Sequence, residues 1–232
     1  MKVDDGRRPS STYLQVEDMA SELFLSDGVF IAQIEDDIVV LDVEADAYHC
    51  LLDATQWMVV HQDGRVIVGD PGVEHDLTAA GFCVRTTSPR TGRIGLHPPR
   101  RELAIPSQAP RLLSLVAAAS LVRSTWAFQN RPLAQLIAPP SVRGRDRALP
   151  EDGLERAVAA AKAALPWVPG EGECLQRAFE LRRFLAEKGF GTTWMFGVKT
   201  WPFAAHCWLQ IDDMVVGDTV ERVSRYTPIM AV

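Results

Sequence analysis

Residues 203–218 read FAAHCWLQIDDMVVGD, and the way this stretch folds decides where the chain's chemistry lies. Side chains alternate along an extended strand. Phe203, Ala205, Cys207, Leu209 and Ile211 therefore share one side, and Ala204, His206, Trp208 and Gln210 share the other. His206 and Cys207, though adjacent, point to opposite faces and form neither a metal pair nor a catalytic couple. The same alternation separates His49 from Cys50 in AYHCLL (47–52), so no metal site is expected there either. Folding about IDD (211–213) with the centre on Asp212 sets His206 opposite Asp218, Trp208 opposite Val216 and Gln210 opposite Met214. Cross-strand neighbours on one face can form a carboxylate–imidazole hydrogen bond. A tight two-residue turn would instead set Asp218 opposite Cys207. Asp212 and Asp213 need only be turn residues.

Upstream, CLQRAFELRRFLAEKG (174–189) has helical spacing and ends at Gly189, with Lys188 in the last turn. Cys174 opens this helix just after the Pro- and Gly-containing PWVPGEGE (166–173). A thiol at a helix N-terminus meets the positive end of the macrodipole and unpaired backbone N–H groups, which favour thiolate. The same N–H groups can stabilise an oxyanion. Positions 174, 178, 181 and 185 share a face, so Cys174 points inward, while Gln176, Arg177, Glu180, Arg183 and Glu187 point away. By itself, a Cys on an apolar face is inert packing. With His206 and Asp218 paired nearby, it becomes a candidate nucleophile: His206 would deprotonate it and Asp218 would fix the ring.

Around these elements the chain divides into two halves of different pattern. VFIAQIE (29–35), DDIVVLDVEAD (36–46) and AYHCLL (47–52) are β-rich runs separated by acidic turns. DATQWMVVHQDG (53–64) and DPGVEHDLTAAGF (70–82) follow as helical segments, the second with Asp70 as cap, Pro71 at the first position and Gly81 as stop. Residues 86–110, with five prolines and two glycines, read as a linker. Helices are then expected over 111–128, with an apolar stripe at 112, 115, 119, 122 and 126, and over 151–165. Strands follow at 192–199, 203–211 and 214–220.

Charge is unevenly distributed: net −12 over residues 1–85, +8 over 86–150 and −2 over 151–232. The acidic first unit would be repelled by phosphates, and the arginines of the middle are scattered with few interleaved aromatics, so no nucleic acid is expected as partner. The longest mostly apolar run, LLSLVAAASLV (112–122), is too short to span a bilayer. No secretory signal follows MKVDDGRRPS, and Cys50, Cys83, Cys174 and Cys207 lack the spacing of a disulfide framework. A cytoplasmic chain without membrane association or cofactor is the expectation.

The combination GECLQRAFELRRFLAEKG…FGVK…FAAHCWLQIDDMVVGD resembles the leader-peptide-cleaving B proteins of lasso peptide biosynthesis, which are transglutaminase-like, papain-related cysteine proteases. Cys174, Leu175, Arg177, Gly197, Val198, Phe203, Ala205, His206, Trp208 and Asp218 match that pattern, while Cys207 replaces the usual Ala and Gln210 a common Glu. The resemblance implies an α+β chain with a papain/transglutaminase-like cysteine protease domain at 111–232 and a Cys174–His206–Asp218 triad. VVLDVEADAYHCL (39–51) resembles the family's winged-helix-like precursor-recognition domain, similar to the small peptide chaperone of pyrroloquinoline quinone synthesis. RVIVGD (65–70) stands in the place of that domain's middle helix. The likeness implies that residues 1–85 bind a leader peptide as a strand added to the third strand and clamped by the last helix. Tyr48, His49, Cys50, Leu51 and Leu77 are the leader-binding candidates. It further implies cleavage near a threonine and ring closure by a separate, asparagine-synthetase-like, ATP-dependent cyclase as partner. A transglutaminase-like acyl transferase and a non-catalytic recognition protein are the alternatives.

Overall fold

The computed structural model describes residues 21–61, 63–86, 98–142, 152–169 and 173–232. The expected linker over 87–97, the start of the second expected helix at 151 and the glycine-containing approach at 170–172 lie outside the described residues. In chain order the strands are β1 (Ser21–Leu25), β2 (Val29–Ile34), β3 (Asp37–Asp42), β4 (Ala47–Leu51), β5 (Met58–Val60), β6 (Arg65–Val68), β7 (Cys83–Val84), β8 (Arg101–Glu102), β9 (Thr193–Lys199), β10 (Ala204–Ile211), β11 (Met214–Val216) and β12 (Thr227–Ala231). The α-helices are α1 (Pro71–Ala79), α2 (Arg111–Phe128), α3 (Leu133–Leu136), α4 (Gly153–Ala164), α5 (Cys174–Glu187) and α6 (Val220–Val223).

The first half contains the expected meander, β2-β3-β4, and beside it a four-stranded sheet in the order β5-β6-β1-β7. Two expectations are corrected here. The helix read over 53–64 is only a 3-10 turn at Ala54–Gln56 followed by strand β5, and Asp53 makes no capping bond from its left-handed backbone. Val59, Val60 and the RVIV of β6 alternate their burial and pair with each other, which extended backbone satisfies better than a helix. Among the described residues, the helical part of the expected winged-helix-like unit thus reduces to α1. That helix starts as read, with the Asp70 carboxylate accepting the Gly72 N–H at 2.7 Å and Pro71 in the first turn.

The second half carries a five-stranded sheet in the order β12-β9-β10-β11-β8. Strand β8 falls inside the stretch read as linker. It pairs parallel to β11, with Arg101 bridging to Asp213 at 2.6 Å and Glu102 accepting the Val220 N–H at 2.7 Å. Asp213 is therefore a strand anchor as well as a turn residue. Helix α5 ends as read: Gly189 takes a φ of +93°, and the Gly189 and Phe190 N–H groups close onto Ala186 and Leu185.

Helix α2 packs the other way round from its sequence stripe. Leu112, Leu115 and Trp126 are 77, 69 and 72 % exposed, whereas Ala117, Ser120, Leu121, Ser124 and Thr125 are buried against α4 and α5. Small side chains let the three helices approach, since α4 also presents buried alanines at 157, 159, 160, 161 and 164. Two of the three buried hydroxyls find carboxylate acceptors, Thr125 donating to Glu180 at 2.7 Å and Ser120 to Glu187 at 2.8 Å, while Ser124 Oγ has no partner among the described residues. Glu180, read as pointing away from the core, is 2 % exposed and also accepts from Gln176. Close packing of small side chains, with two of the three hydroxyls paired, outweighs the burial of a looser leucine face.

The meander joins the two halves. Its register puts Phe30, Ala32, Val39, Leu41 and Tyr48 on one face, packed into the same core as Phe179, Trp194, Phe196 and Leu209. Its other face, with Val29, Ile31, Ile38, Val40 and Leu51, packs into a separate core with β1, β6 and α1. One sheet is buried on both sides, so a change at Leu41, which is fully buried, should be felt by both halves. Leu41→Ala is expected to cost about 2–5 kcal/mol and to lower one common unfolding transition in calorimetry. Two separate transitions, with only one shifted, would contradict a shared core.

Candidate active site

Strand β11 ends at Val216, whereas β10 runs back to Ala204. Among the described residues β10 is therefore paired on both sides only from Leu209 to Ile211; at 206–208 its partner on one side is β9, and the other edge is open. Cys174, the first residue of α5, lies against that open edge, where its side chain shares one cleft with His206 and Cys207. A cleft of about 380 Å³ opens here, lined by Cys174, His206, Cys207 and Asp218 together with Arg177 and Arg222.

His206 and Asp218 meet, but not through the register expected. The hairpin has the tight two-residue turn: Leu209 pairs with Val216, Gln210 with Val215 and Ile211 with Met214. Continued in that register, Asp218 would face Cys207. Gly217 prevents this by taking a φ of +81°, which ends the strand and turns Asp218 toward the ring. Asp218 Oδ2 then lies 2.7 Å from His206 Nε2, while Oδ1 accepts the Thr219 N–H at 2.8 Å. Both carboxylate oxygens are engaged, which fixes the side chain. His206 is 5 % exposed and packs against the rings of Trp208 and Tyr226. Tyr226 and Trp208 close over Gly197, opposite His206 on β9; a Cβ there would come within 2.9 Å of each.

The electrostatics follow from these contacts. The Cys174 thiol is pulled down to about 4, first by the Cys207 thiol and next by His206, with burial opposing and the Cys207 N–H assisting. For His206, burial disfavours the charged ring, but hydrogen bonding and charge from Asp218 and Cys174 outweigh it and raise the group to about 9. Burial likewise opposes ionisation of Asp218, yet the bonds from His206 and the Thr219 N–H hold it below the usual carboxylate range. Between about 4 and about 9 the site therefore holds a thiolate beside an imidazolium, with a carboxylate behind the ring. This is a nucleophile already deprotonated and an acid ready to protonate a leaving group.

Side chains alternate along β10 as expected: Cys207 belongs to the large core and Trp208 to the smaller cluster on the other face. That alternation does not isolate Cys207 from the chemistry, however. Cys174 sits at the strand's edge rather than over one face, so His206 and Cys207 both line the cleft it opens into. Counting spacings could not show this, because it depends on where β11 stops. The Cys207 thiol is held well above the normal range, first by its bond to Cys174 and then by burial.

The five leader-binding candidates separate by environment. Tyr48 is half-buried in the large core, 5.6 Å from the Phe203 ring, and its hydroxyl is raised above the usual phenol range by burial, then by Cys207 and Cys174. His49 is exposed and lies 5.0 Å from the Phe82 ring, and Cys50 is exposed beside it on β4. Leu51 packs on the second core, in which Leu77 of α1 is buried. Among them, Tyr48 is the one whose surroundings connect with the cleft.

Gly217 is the residue whose role could not be read from motif spacing. A side chain there would meet the left-handed penalty of about 1–2 kcal/mol, and its Cβ would come 2.8 Å from Leu181 Cδ2 on α5. Gly217→Ala is expected to lower the melting temperature and to displace Asp218 from His206. A variant as stable and as active as the wild type would show that the turn does not set the site.

A family model of the transglutaminase-like superfamily matches residues 112–231, more than half of the chain. No curated protein and no solved structure gives a match. The matched segment contains α2, α5, the β9–β10–β11 strands and the whole cleft described above. The chain belongs to the transglutaminase-like superfamily, whose domains are cysteine-protease-like and acyltransferase-like.

Proposed function

We propose that the chain is a leader peptidase of lasso peptide biosynthesis, cutting a ribosomally made precursor through a thioester at Cys174. The observation that carries this reading is the Cys174–His206–Asp218 contact set at the open edge of β10. In the proposed sequence the Cys174 thiolate attacks the scissile carbonyl, and the tetrahedral oxyanion is stabilised by backbone N–H groups at the start of α5. His206 protonates the departing amine and then takes a proton from the water that hydrolyses the thioester. Asp218 keeps the ring oriented and stabilises its positive form. The freed amine of the core peptide would pass to the separate, asparagine-synthetase-like, ATP-dependent cyclase.

Leader binding is assigned to β4. In the order β2-β3-β4 it is an outer strand among the described residues, so the edge away from β3 can accept an added strand through backbone hydrogen bonds. Tyr48, His49, Cys50 and Leu51 lie along it, and Leu77 supports the adjoining core from α1. Tyr48 lies within the electrostatic reach of Cys174 and Cys207, which supports one peptide engaging both places. The net −12 of residues 1–85 favours a leader with basic residues.

The test is the full chain incubated with its precursor, with products read by mass. Hydrolysis releases two peptides; acyl transfer to an added amine would join them and identify the acyltransferase instead. Cys174→Ala is expected to abolish cleavage and leave leader affinity intact, and Asp218→Asn to reduce turnover by about 10²–10⁴-fold at unchanged affinity. Turnover should hold between about pH 4 and about pH 9. Below that window the thiolate is protonated, and above it the imidazolium is lost. Full cleavage by Cys174→Ala would overturn the reading.

A further inference from the structure

Cys174 and Cys207 form a sulfur pair that hydrolysis does not require. Cys207 stands at the middle of β10, in the core against which Cys174 at the start of α5 packs, and the two thiols are near enough to shift each other's ionisation. Each of the two lines the same cleft, so Cys174 is reachable from solvent while Cys207 lies directly behind it, 5 % exposed. The remaining cysteines are elsewhere: Cys50 is exposed on β4, and Cys83 is buried in the second core. Packing alone gives no reason for a thiol here rather than a methyl or methylene group of similar bulk.

We propose that Cys174 and Cys207 are a reversible modification site, in which a hydroperoxide oxidises Cys174 and Cys207 captures the product as a disulfide. In the first step the Cys174 thiolate attacks the outer peroxide oxygen. The O–O bond breaks, the sulfur is oxidised to sulfenic acid, and the peroxide leaves as an alkoxide, or as hydroxide, which takes up a proton. In the second step the Cys207 sulfur attacks the Cys174 sulfur, the S–OH bond breaks and water leaves, carrying the hydroxyl and the proton of the Cys207 thiol. His206, which lines the same cleft, can relay that proton, giving one to the departing hydroxyl and taking up the one Cys207 loses. Two external thiols reverse the sequence, themselves becoming a disulfide.

The order of events is built into the contacts. While Cys174 is a thiolate, the bond and charge between the two sulfurs keep Cys207 protonated and unreactive. Oxidising Cys174 removes that anion and, with it, the largest restraint on Cys207. The two side chains already line one cleft, and their sulfurs then need to close to about 2.05 Å. That the disulfide silences the chain rests on the reading of Cys174 as nucleophile; that it forms does not.

The experiment treats the full-length chain with a few equivalents of hydrogen peroxide in the presence of dimedone, and maps peptides by mass. The wild type is expected to yield linked Cys174 and Cys207 peptides without a dimedone adduct, and to lose cleavage activity that dithiothreitol restores. Cys207→Ser keeps a hydrogen-bond donor but cannot form the bond. It should give a dimedone adduct at Cys174 and, with excess peroxide alone, sulfinic acid that dithiothreitol does not reverse. Circular dichroism of Cys207→Ser and Cys207→Ala confirms folding before oxidation. A dimedone adduct at Cys174 in the wild type, or a disulfide through Cys50 or Cys83, overturns the proposal while leaving the nucleophile assignment standing. A Cys174–Cys207 disulfide with undiminished cleavage supports the pair and overturns the assignment of Cys174.

Discussion

The 2.7 Å contact between His206 Nε2 and Asp218 Oδ2 exists because a strand stops two residues short of the aspartate. β11 gives up the ladder at Val216, and Gly217 adopts a backbone conformation that other residues reach only with strain. That single departure does two things. It brings the carboxylate around to the imidazole, and it leaves the edge of β10 open, so that the start of α5 can place a thiol against it. Had the register continued, Asp218 would face Cys207, and His206 would stand on its face of the sheet without an anion. The remaining supports serve the same geometry: Thr219 holds the second carboxylate oxygen, and Glu102 of β8 holds the α6 N-terminus just beyond. Tyr226 and Trp208 close over Gly197 beside the ring.

The meander bears on the site from the other side. Its sheet is buried on both faces, one against the strands and helices of the matched domain and one against the four-stranded sheet. Tyr48 is the clearest link, since its ring meets Phe203 just before β10 and its hydroxyl feels the two cysteines. Recognition and cleavage, as proposed, therefore draw on one sheet shared by two cores rather than on two units joined only by a tether. Isolated residues 1–85 would expose Phe30, Val39 and Leu41 to water.

Much of this was legible in the sequence where local chemistry decides the outcome. Asp70-Pro71 and Gly81 bounded α1, Gly189 ended α5, and alternation assigned the faces of β10, because caps, glycines and the two-residue period act within a few residues. The three polar groups of the candidate site could be named from their spacing, but the way they come together could not. The register depended on whether Asp212 could take a left-handed backbone in a two-residue turn, and it does, at φ +51°. The face of α2 was misread because hydrophobicity outranks size in a periodic pattern, whereas three helices at close range select Ala, Ser and Thr. β1, β8 and β12 are too short or too far from their partners in sequence to announce themselves; β1 pairs with β6 and β7, and β12 with β9. The contact between Cys207 and Cys174 depended on all of these at once.

The account stands on a charged pair held by Asp218, and the imidazole of His206 reports on it directly. A nitrogen-detected NMR titration of the ¹⁵N-histidine-labelled chain, assigned with His206→Gln, should show both ring nitrogens protonated at neutral pH and a transition near pH 9. In Cys174→Ala and Asp218→Asn that transition should move down, since each substitution removes an anion that favours the charged ring while burial continues to oppose it. A His206 ring that is neutral at pH 7 in the wild type, and unmoved by either substitution, would contradict the thiolate–imidazolium pair and the mechanism built on it.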